Sequence, residues 1–118
     1  MAAPLRRHLF ASFPPGDLLV ASAVANLAEL HTKVGELREA EALHREALER
    51  VPQTAGDRSE AHATVLSNAG NFALAANDLP RAESLHRRAL DIRRTLYGDR
   101  HPMSAESTSS LGFVLAQL

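Results

Sequence analysis

The chain has 118 residues and a formal net charge of −1, with no cysteine, no tryptophan and five aromatic residues. This composition excludes disulfides, thiolate metal sites and thiol nucleophiles, and the balanced charge gives no general attraction to nucleic acid or to an anionic membrane. No apolar run approaches the roughly 20 residues needed to span a bilayer. Alanine and leucine fill 39 positions, whereas valine, isoleucine and threonine fill only 12. That ratio favours helix over strand, so we expect one all-α domain.

The N-terminal segment 1–16 differs in composition from the rest. It contains Arg6, Arg7 and several apolar residues but no acidic residue. Such a composition is compatible with a mitochondrial presequence. The alternatives are a degenerate helix that caps the fold or the remnant of an earlier repeat. The folded domain is expected at 17–118.

Five helices are predicted in the remaining chain, at about 18–33, 37–51, 58–75, 79–96 and 102–117. Their apolar residues recur at the three- and four-residue spacing of an amphipathic helix. In the first helix the stripe consists of Leu27, Leu30 and Val34, and in the second it extends from Leu37 to Val51. Each pair of neighbouring helices therefore has apolar faces that can pack together.

Short turns separate the helices of each pair. Gly35 lies between the first two helices, where a residue free to adopt positive φ allows the chain to reverse. Asn77 and Asp78 occupy the corresponding place in the second pair. Asparagine tolerates the left-handed conformation, and aspartate is a favoured N-cap. Both pairs are predicted to be helical hairpins.

The longer connections carry their own signals. Pro52 is expected to end the second helix, because proline lacks an amide hydrogen. Asp57 followed three residues later by Glu60 resembles a capping box at the start of the third helix. In the next connection Pro102 suits the first position of the fifth helix.

An internal repeat organises the chain from residue 21 onward. Asn26 and Asn68 lie 42 positions apart, and the same offset aligns eight of twelve residues in the second helix of each pair. The residues that recur are Leu37, Ala40, Glu41, Leu43, His44, Arg45, Ala47 and Leu48. A period of this length is typical of a stacked solenoid.

These motifs resemble the tetratricopeptide repeat family, and specifically the 42-residue repeats of kinesin light chains. The matching stretches are Asn26-Leu27-Ala28, Gly35, Ala40-Glu41, Leu90-Asp91-Ile92-Arg93, Gly98 and His101-Pro102. The resemblance implies an all-α solenoid of two antiparallel helical hairpins plus a terminal unpaired helix. Repeat 1 would span about 18–57, repeat 2 about 58–101 and a partial repeat 3 about 102–118.

Small residues mark the positions at which paired helices should approach closely. On the first helices these are the equivalent positions Ala28, Gly70 and Gly112, and on the second helices they are Ala40, Ala82, Ala47 and Ala89. Where the family usually carries an aromatic residue on the second helix, this chain has His44 and His86. We interpret these two histidines as packing residues with a polar tip at the edge of the core.

The candidate binding residues lie on the first helix of each unit. Asn26, Glu29 and Lys33 share one face of the first helix, and Asn68 and Asn71 share the equivalent face of the third. In the resembled family this surface is concave and grips extended peptides, which a side-chain amide suits because it both donates and accepts hydrogen bonds. The alternative is that the asparagines make structural bonds to a neighbouring helix.

Motifs for catalysis and cofactor binding are absent from the sequence. The six histidines include no pair at i, i+4, and there is no phosphate loop or nucleophile elbow. We therefore expect no catalytic residue, no metal site and no cofactor. The arginines of the second half alternate with acidic residues, which predicts a solvated outer face and not a nucleic-acid site. They are Arg81, Arg87, Arg88, Arg93, Arg94 and Arg100.

The expected function is that of a non-catalytic scaffold or adaptor, located in the cytoplasm, that binds a peptide segment of a partner protein. The alternatives are a structural assembly factor in an organelle, such as the mitochondrion, with a cleaved presequence, and part of a larger signalling or regulatory protein. The third unit lacks its second helix, which leaves the apolar run 111–116 uncovered. Solenoids need capping elements, so we expect self-association through the fifth helix, domain swapping, or truncation from a longer array.

Overall fold

A computed structural model describes residues 18–118, with side chains from Val20 onward. The expectations for residues 1–16 lie outside the described residues. The described chain forms five helices and contains no strand. They are α1 (Leu18–Lys33), α2 (Leu37–Ala55), α3 (Glu60–Ala75), α4 (Leu79–Tyr97) and α5 (Pro102–Gln117).

The helices pack as two hairpins followed by a single helix. α1 packs against α2 and α3 against α4, while α5 packs against α4. α3 also contacts both helices of the first hairpin, which stacks the two hairpins side by side. The predicted all-α solenoid, with two antiparallel hairpins and a terminal unpaired helix, is confirmed.

The hairpin turns form as local chemistry predicts. Gly35 has a φ of +82°, and Asn77 is the described non-glycine residue with positive φ, at +62°. The side chain of Asp78 accepts a hydrogen bond from the amide of Arg81 at 3.3 Å, which caps α4. Positive φ disfavours most side chains, so these residue types explain why the chain reverses at these two points.

The end of α2 was predicted wrongly. The helix passes through Pro52 and ends at Ala55, and the amide of Gly56 donates to the Pro52 carbonyl at 2.9 Å. Proline removes one helical donor but still supplies an acceptor. The hydroxyl of Thr54 donates to the Arg50 carbonyl at 3.1 Å, within this last turn. The extra turn is therefore bonded well enough to persist beyond the proline.

The start of α3 also differs from the prediction, because the capping box does not form. Ser59 is the N-cap, and its hydroxyl accepts a hydrogen bond from the amide of His62 at 3.1 Å. The side chain of Glu60, expected to pair with Asp57, binds Arg93 on α4 instead. A charged partner forms stronger hydrogen bonds than a backbone amide, which explains why Glu60 binds Arg93 and not the backbone at Asp57.

The buried face of α1 is rotated relative to the predicted stripe. Leu30 and Val34 are 55% and 61% exposed, and only Leu27 of that stripe packs against the core. The residues of α1 that are buried in the core are Val20, Ala21, Val24 and Ala28. Their small size allows α1 to lie close to its neighbours, and close approach turns the larger side chains outward.

The small residues predicted at helix contacts behave differently in the three units. Ala28 is fully buried, and a Cβ added to Gly70 would lie 2.6 Å from Nε2 of His86. In contrast, a Cβ added to Gly112 would meet no atom within 4 Å. The expectation for Gly112 is therefore wrong, because no described helix packs against that side of α5.

Ala82→Leu is expected to lower the free energy of unfolding by about 1–3 kcal/mol, because Ala82 is fully buried between paired helices. Ala40 is equally buried, and Ala40→Leu should have a similar effect. Urea denaturation at pH 7 measures the change. Ala42→Leu is the matched control, since Ala42 is exposed on α2. Equal stability of the Ala82 variant and the original chain would contradict the close helix contact.

Candidate functional site

The predicted binding residues lie on two neighbouring helices. Asn26 and Lys33 are exposed on α1, with Glu29 half-buried between them. On α3, Asn71 is exposed and Asn68 is half-buried. Because α1 and α3 contact each other, the two polar faces form one surface, which we call the inner surface.

The side chains of the inner surface differ in their bonding. The carboxylate of Glu29 lies 3.7 Å from Nζ of Lys33, so these two charges partly satisfy each other. Among the described residues, no hydrogen bond involves the side-chain amides of Asn26, Asn68 or Asn71. The alternative was that these asparagines form structural bonds to a neighbouring helix. The described residues contain no such bond. The three amides can therefore bond an incoming polar group.

A cleft opens on the inner surface where α1, α2 and α3 meet, and we call this meeting point the first junction. The cleft has a volume of about 200 Å³. It is lined by Ala21, Ser22, Ala25, Asn26, Val51, Thr54, Ala61, Thr64 and Val65. None of these described lining residues carries a charged side chain. Small apolar side chains surrounded by hydroxyl and amide groups suit a side chain on an extended segment.

The equivalent meeting point of α3, α4 and α5, the second junction, holds a buried ion pair. Arg93 is 2% exposed, and its guanidinium donates to both carboxylate oxygens of Glu60, at 3.2 and 2.9 Å. It also donates to the hydroxyl of Ser107 at 2.9 Å and to that of Thr64 at 3.4 Å. One side chain thus links all three helices.

The prediction that Arg93 lies on a solvated outer face is wrong. The position 42 residues earlier is Val51, which is buried in the core. The equivalence of Val51 and Arg93 in the repeat could have corrected this prediction, because it indicates that position 93 points inward. Glu60 is partly buried, which raises its pKa, but the hydrogen bonds from Arg93 and Thr64 outweigh that effect and leave the pKa below its ordinary value.

The two histidines of the second helices lie fully inside, not at the edge of the core as predicted. His44 is 2% exposed, and its Nε2 lies 2.8 Å from the hydroxyl of Thr32. That hydroxyl donates its single proton to the Ala28 carbonyl at 2.9 Å, so Nε2 must be the donor to Thr32. The ring also packs against Phe72, with 5.3 Å between centroids. His86 is 1% exposed and lies against Gly70.

Burial lowers the pKa of His44 from 6.5 to about 4, and the positive charge of Arg81 adds to the effect. The pKa of His86 is lowered by burial and by Arg93. Both rings are therefore neutral near pH 7. A charged imidazole in either place would be an unpaired buried cation.

We expect the protein to lose stability as the pH falls from 6.5 toward 4. Above pH 6.5 His44 is neutral in both states and contributes no pH dependence. Below it the unfolded chain takes up a proton that the folded chain does not, so the free energy of unfolding falls by about 2 kcal/mol at pH 5. Urea denaturation at pH 7 and pH 5 measures this loss. His44→Phe keeps a ring but does not titrate, so an unchanged pH dependence in that variant would contradict the assignment.

The remaining surface features have ordinary structural roles. A cleft of about 510 Å³ lies between the α2–α3 connection and α4. Within it, Arg58 donates to Asp91 and to the hydroxyl of Thr95, both at 3.0 Å. His101 caps α5 by accepting from the amide of Met103, and its ring stacks on Tyr97. These contacts stabilise the connections between helices.

Residues 18–118 hold neither a candidate metal site nor a helix suited to spanning a membrane. This part of the chain contains no group of three or more histidine, aspartate or glutamate residues that could hold a metal ion. None of its helices is both long and apolar enough to cross a bilayer. Phe113 and Leu115 on α5, and Leu118 directly after it, expose apolar surface.

Stacked helical hairpins with a shared inner surface define a solenoid repeat protein. Residues 19–95 and 62–118 each match the family model described as tetratricopeptide repeat. The chain therefore belongs to the tetratricopeptide repeat family. Repeats of this family generally mediate protein–protein interaction, and the family is typically a non-catalytic interaction module. No curated protein matches the chain at a significant level.

Proposed function

We propose that this protein is a non-catalytic adaptor or scaffold that binds an extended peptide segment of a partner protein on its inner surface. The observation that carries the proposal is the set of amides on that surface. Asn26, Asn68 and Asn71 have no hydrogen-bond partner among the described residues. An extended peptide presents main-chain donors and acceptors that such amides can satisfy regardless of its sequence.

Charge on the same surface supports an ordinary peptide and not a highly charged polymer as ligand. Glu29 and Lys33 contribute one negative and one positive charge and lie within 3.7 Å of each other. No excess of positive charge is present here to attract phosphate groups. Partner selection must then depend on shape and on uncharged contacts.

The double substitution Asn26→Ala and Asn68→Ala is expected to weaken peptide binding by about 10- to 100-fold, because each amide contributes hydrogen bonds to the peptide main chain. The probes are nine-residue peptides selected on the protein from a displayed random library. Fluorescence anisotropy of the labelled peptides measures the dissociation constants.

The matched control is Gln53→Ala, which removes an exposed amide from α2 outside the inner surface. It should leave the dissociation constant unchanged. If the selected peptides bind the double variant as tightly as the original chain, the asparagines do not grip the ligand and the proposal fails. Far-UV circular dichroism of all three proteins establishes that their folds are the same.

Self-association through α5 stays a prediction, as does the assignment of the chain to the cytoplasm. The exposed side chains of Phe113 and Leu115 supply the apolar area that self-association requires.

A further inference from the structure

The two helix junctions of this protein are built from equivalent positions but are filled differently. A shift of 42 residues carries the residues that line the first cleft onto the second junction. Val51 at the first junction becomes Arg93 at the second. At the second junction the buried side chain of Arg93 occupies the space between the helices. At the first junction the shorter Val51 leaves a cleft of about 200 Å³.

Two of the three groups that accept hydrogen bonds from Arg93 have apolar counterparts 42 residues earlier, and the third, Thr64, corresponds to Ser22. Glu60 corresponds to Leu18 in the sequence, and Ser107 corresponds to Val65, which is buried. A guanidinium or ammonium group placed in the first cleft would therefore find no carboxylate among the described residues that line it. The same reasoning disfavours a carboxylate, because the described part of the cleft lining supplies no cation. An uncharged apolar group suits this lining.

The size of the cleft limits its occupant to one side chain. A dry apolar cavity of about 150 Å³ is large enough to hold a benzene ring, so about 200 Å³ accommodates a leucine, isoleucine or methionine side chain. Asn26 and Thr64 lie at the same cleft on facing helices, α1 and α3. The Asn26 amide is placed to bond the main chain beside such a residue, whereas the Thr64 hydroxyl donates its proton to Glu60 at 2.9 Å.

We propose that the cleft at the first junction is a specificity pocket that receives one aliphatic side chain of the bound peptide, as the Arg93 side chain fills the equivalent space at the second junction. This inference rests on the proposed peptide-binding function and adds to it the chemical class that the partner must carry. A bound segment would then be anchored by one apolar residue and held elsewhere through its main chain.

Ala61→Met is the variant that tests the pocket. Ala61 lines the cleft and is exposed, so a larger side chain can enter the cleft without disturbing the core. The counterpart of Ala61 at the second junction is Met103, which shows that the repeat tolerates methionine at this position. Ala42→Met is the matched control, because Ala42 is an exposed alanine on α2 outside the cleft.

The experiment uses the nine-residue peptides selected from the displayed library. Each peptide is varied in turn to leucine, alanine, arginine and glutamate at every position, and its affinity is measured for the original chain and both variants. The expected result is one peptide position at which leucine is preferred over alanine by about tenfold or more. Ala61→Met should abolish that preference, and Ala42→Met should retain it. Peptide addition should also shift the methyl NMR signals of Val51 and Val65.

Two further outcomes separate this inference from the proposed function. If binding depends on Asn26 and Asn68 but shows no aliphatic preference, or a preference that Ala61→Met leaves intact, the pocket is refuted and the proposed function stands. If binding is insensitive to both asparagines, or no peptide is selected, the proposed function and the pocket fail together. The thermal melts of Ala61→Met and Ala42→Met establish whether both variants are folded.

Discussion

Glu60→Ala is expected to lower the free energy of unfolding by about 3 kcal/mol, because it leaves the buried guanidinium of Arg93 without its counter-charge. Arg93 would retain the hydroxyls of Ser107 and Thr64, which are neutral acceptors. The loss is large because Arg93 is 2% exposed and loses the carboxylate that balances its charge. Urea denaturation at pH 7 measures it.

Glu83→Ala is the control for this prediction. Glu83 pairs with Arg87 at 2.9 Å on the same helix, but that arginine is more than half exposed. Removing an exposed i, i+4 pair should change stability by no more than about 0.5 kcal/mol. Glu60→Gln should lose less than Glu60→Ala, because an amide oxygen still accepts from Arg93. Equal, small losses from Glu60→Ala and Glu83→Ala would show that the buried pair does not hold the second junction together.

Gly70→Ala should destabilise the protein by about 1–2 kcal/mol, although alanine is the better helix former. The added methyl carbon would lie 2.6 to 3.0 Å from three atoms of the His86 ring. His86 is buried, so the ring can move aside only by disturbing its neighbours. This steric cost outweighs the gain in helix propensity of about 1 kcal/mol. Thermal and urea denaturation both report the change.

Gly112→Ala is the matched control, because its expected effect on stability is opposite to that of Gly70→Ala. It occupies the equivalent place in the repeat on α5, and a Cβ there would meet no atom within 4 Å. Only the helix-propensity gain remains, so stability should rise by about 0.5–1 kcal/mol. A stabilising effect at both glycines would mean that His86 does not press against Gly70. Destabilisation at both would mean that α5 is covered on that side.

Local chemistry determined how much of the fold could be predicted from the sequence. Gly35 and Asn77 reverse the chain because few residue types adopt positive φ, and that preference needs no knowledge of tertiary structure. The 42-residue repeat then identifies which helices pair. The prediction that Pro52 ends α2 was wrong because the effect of proline depends on its position. Near the end of a helix, the loss of one donor is small compared with the bonds that the last turn retains.

The chemistry of the interior was harder to predict, because it depends on contacts between residues far apart in sequence. Glu60 and Arg93 are separated by 33 residues, and no local pattern joins them. The buried face of α1 was predicted wrongly for a similar reason, since the packing of small residues decides which way Leu30 and Val34 face. The polar residues of the inner surface could be named from spacing alone. The cleft beside Asn26 could not, because α2 and α3 supply most of its lining.

The two junctions differ in how strongly their contacts depend on direction. At the second junction Arg93 is held within its own hairpin by Glu60 and donates to Ser107 of the next unit at 2.9 Å, which is a directional bond between units. At the first junction Val65 packs among the apolar side chains of α1 and α2, and such contacts have no preferred direction. Because coupling in a stack acts between neighbours, we expect the angle between units to vary more at the first junction, where the cleft opens, than at the second.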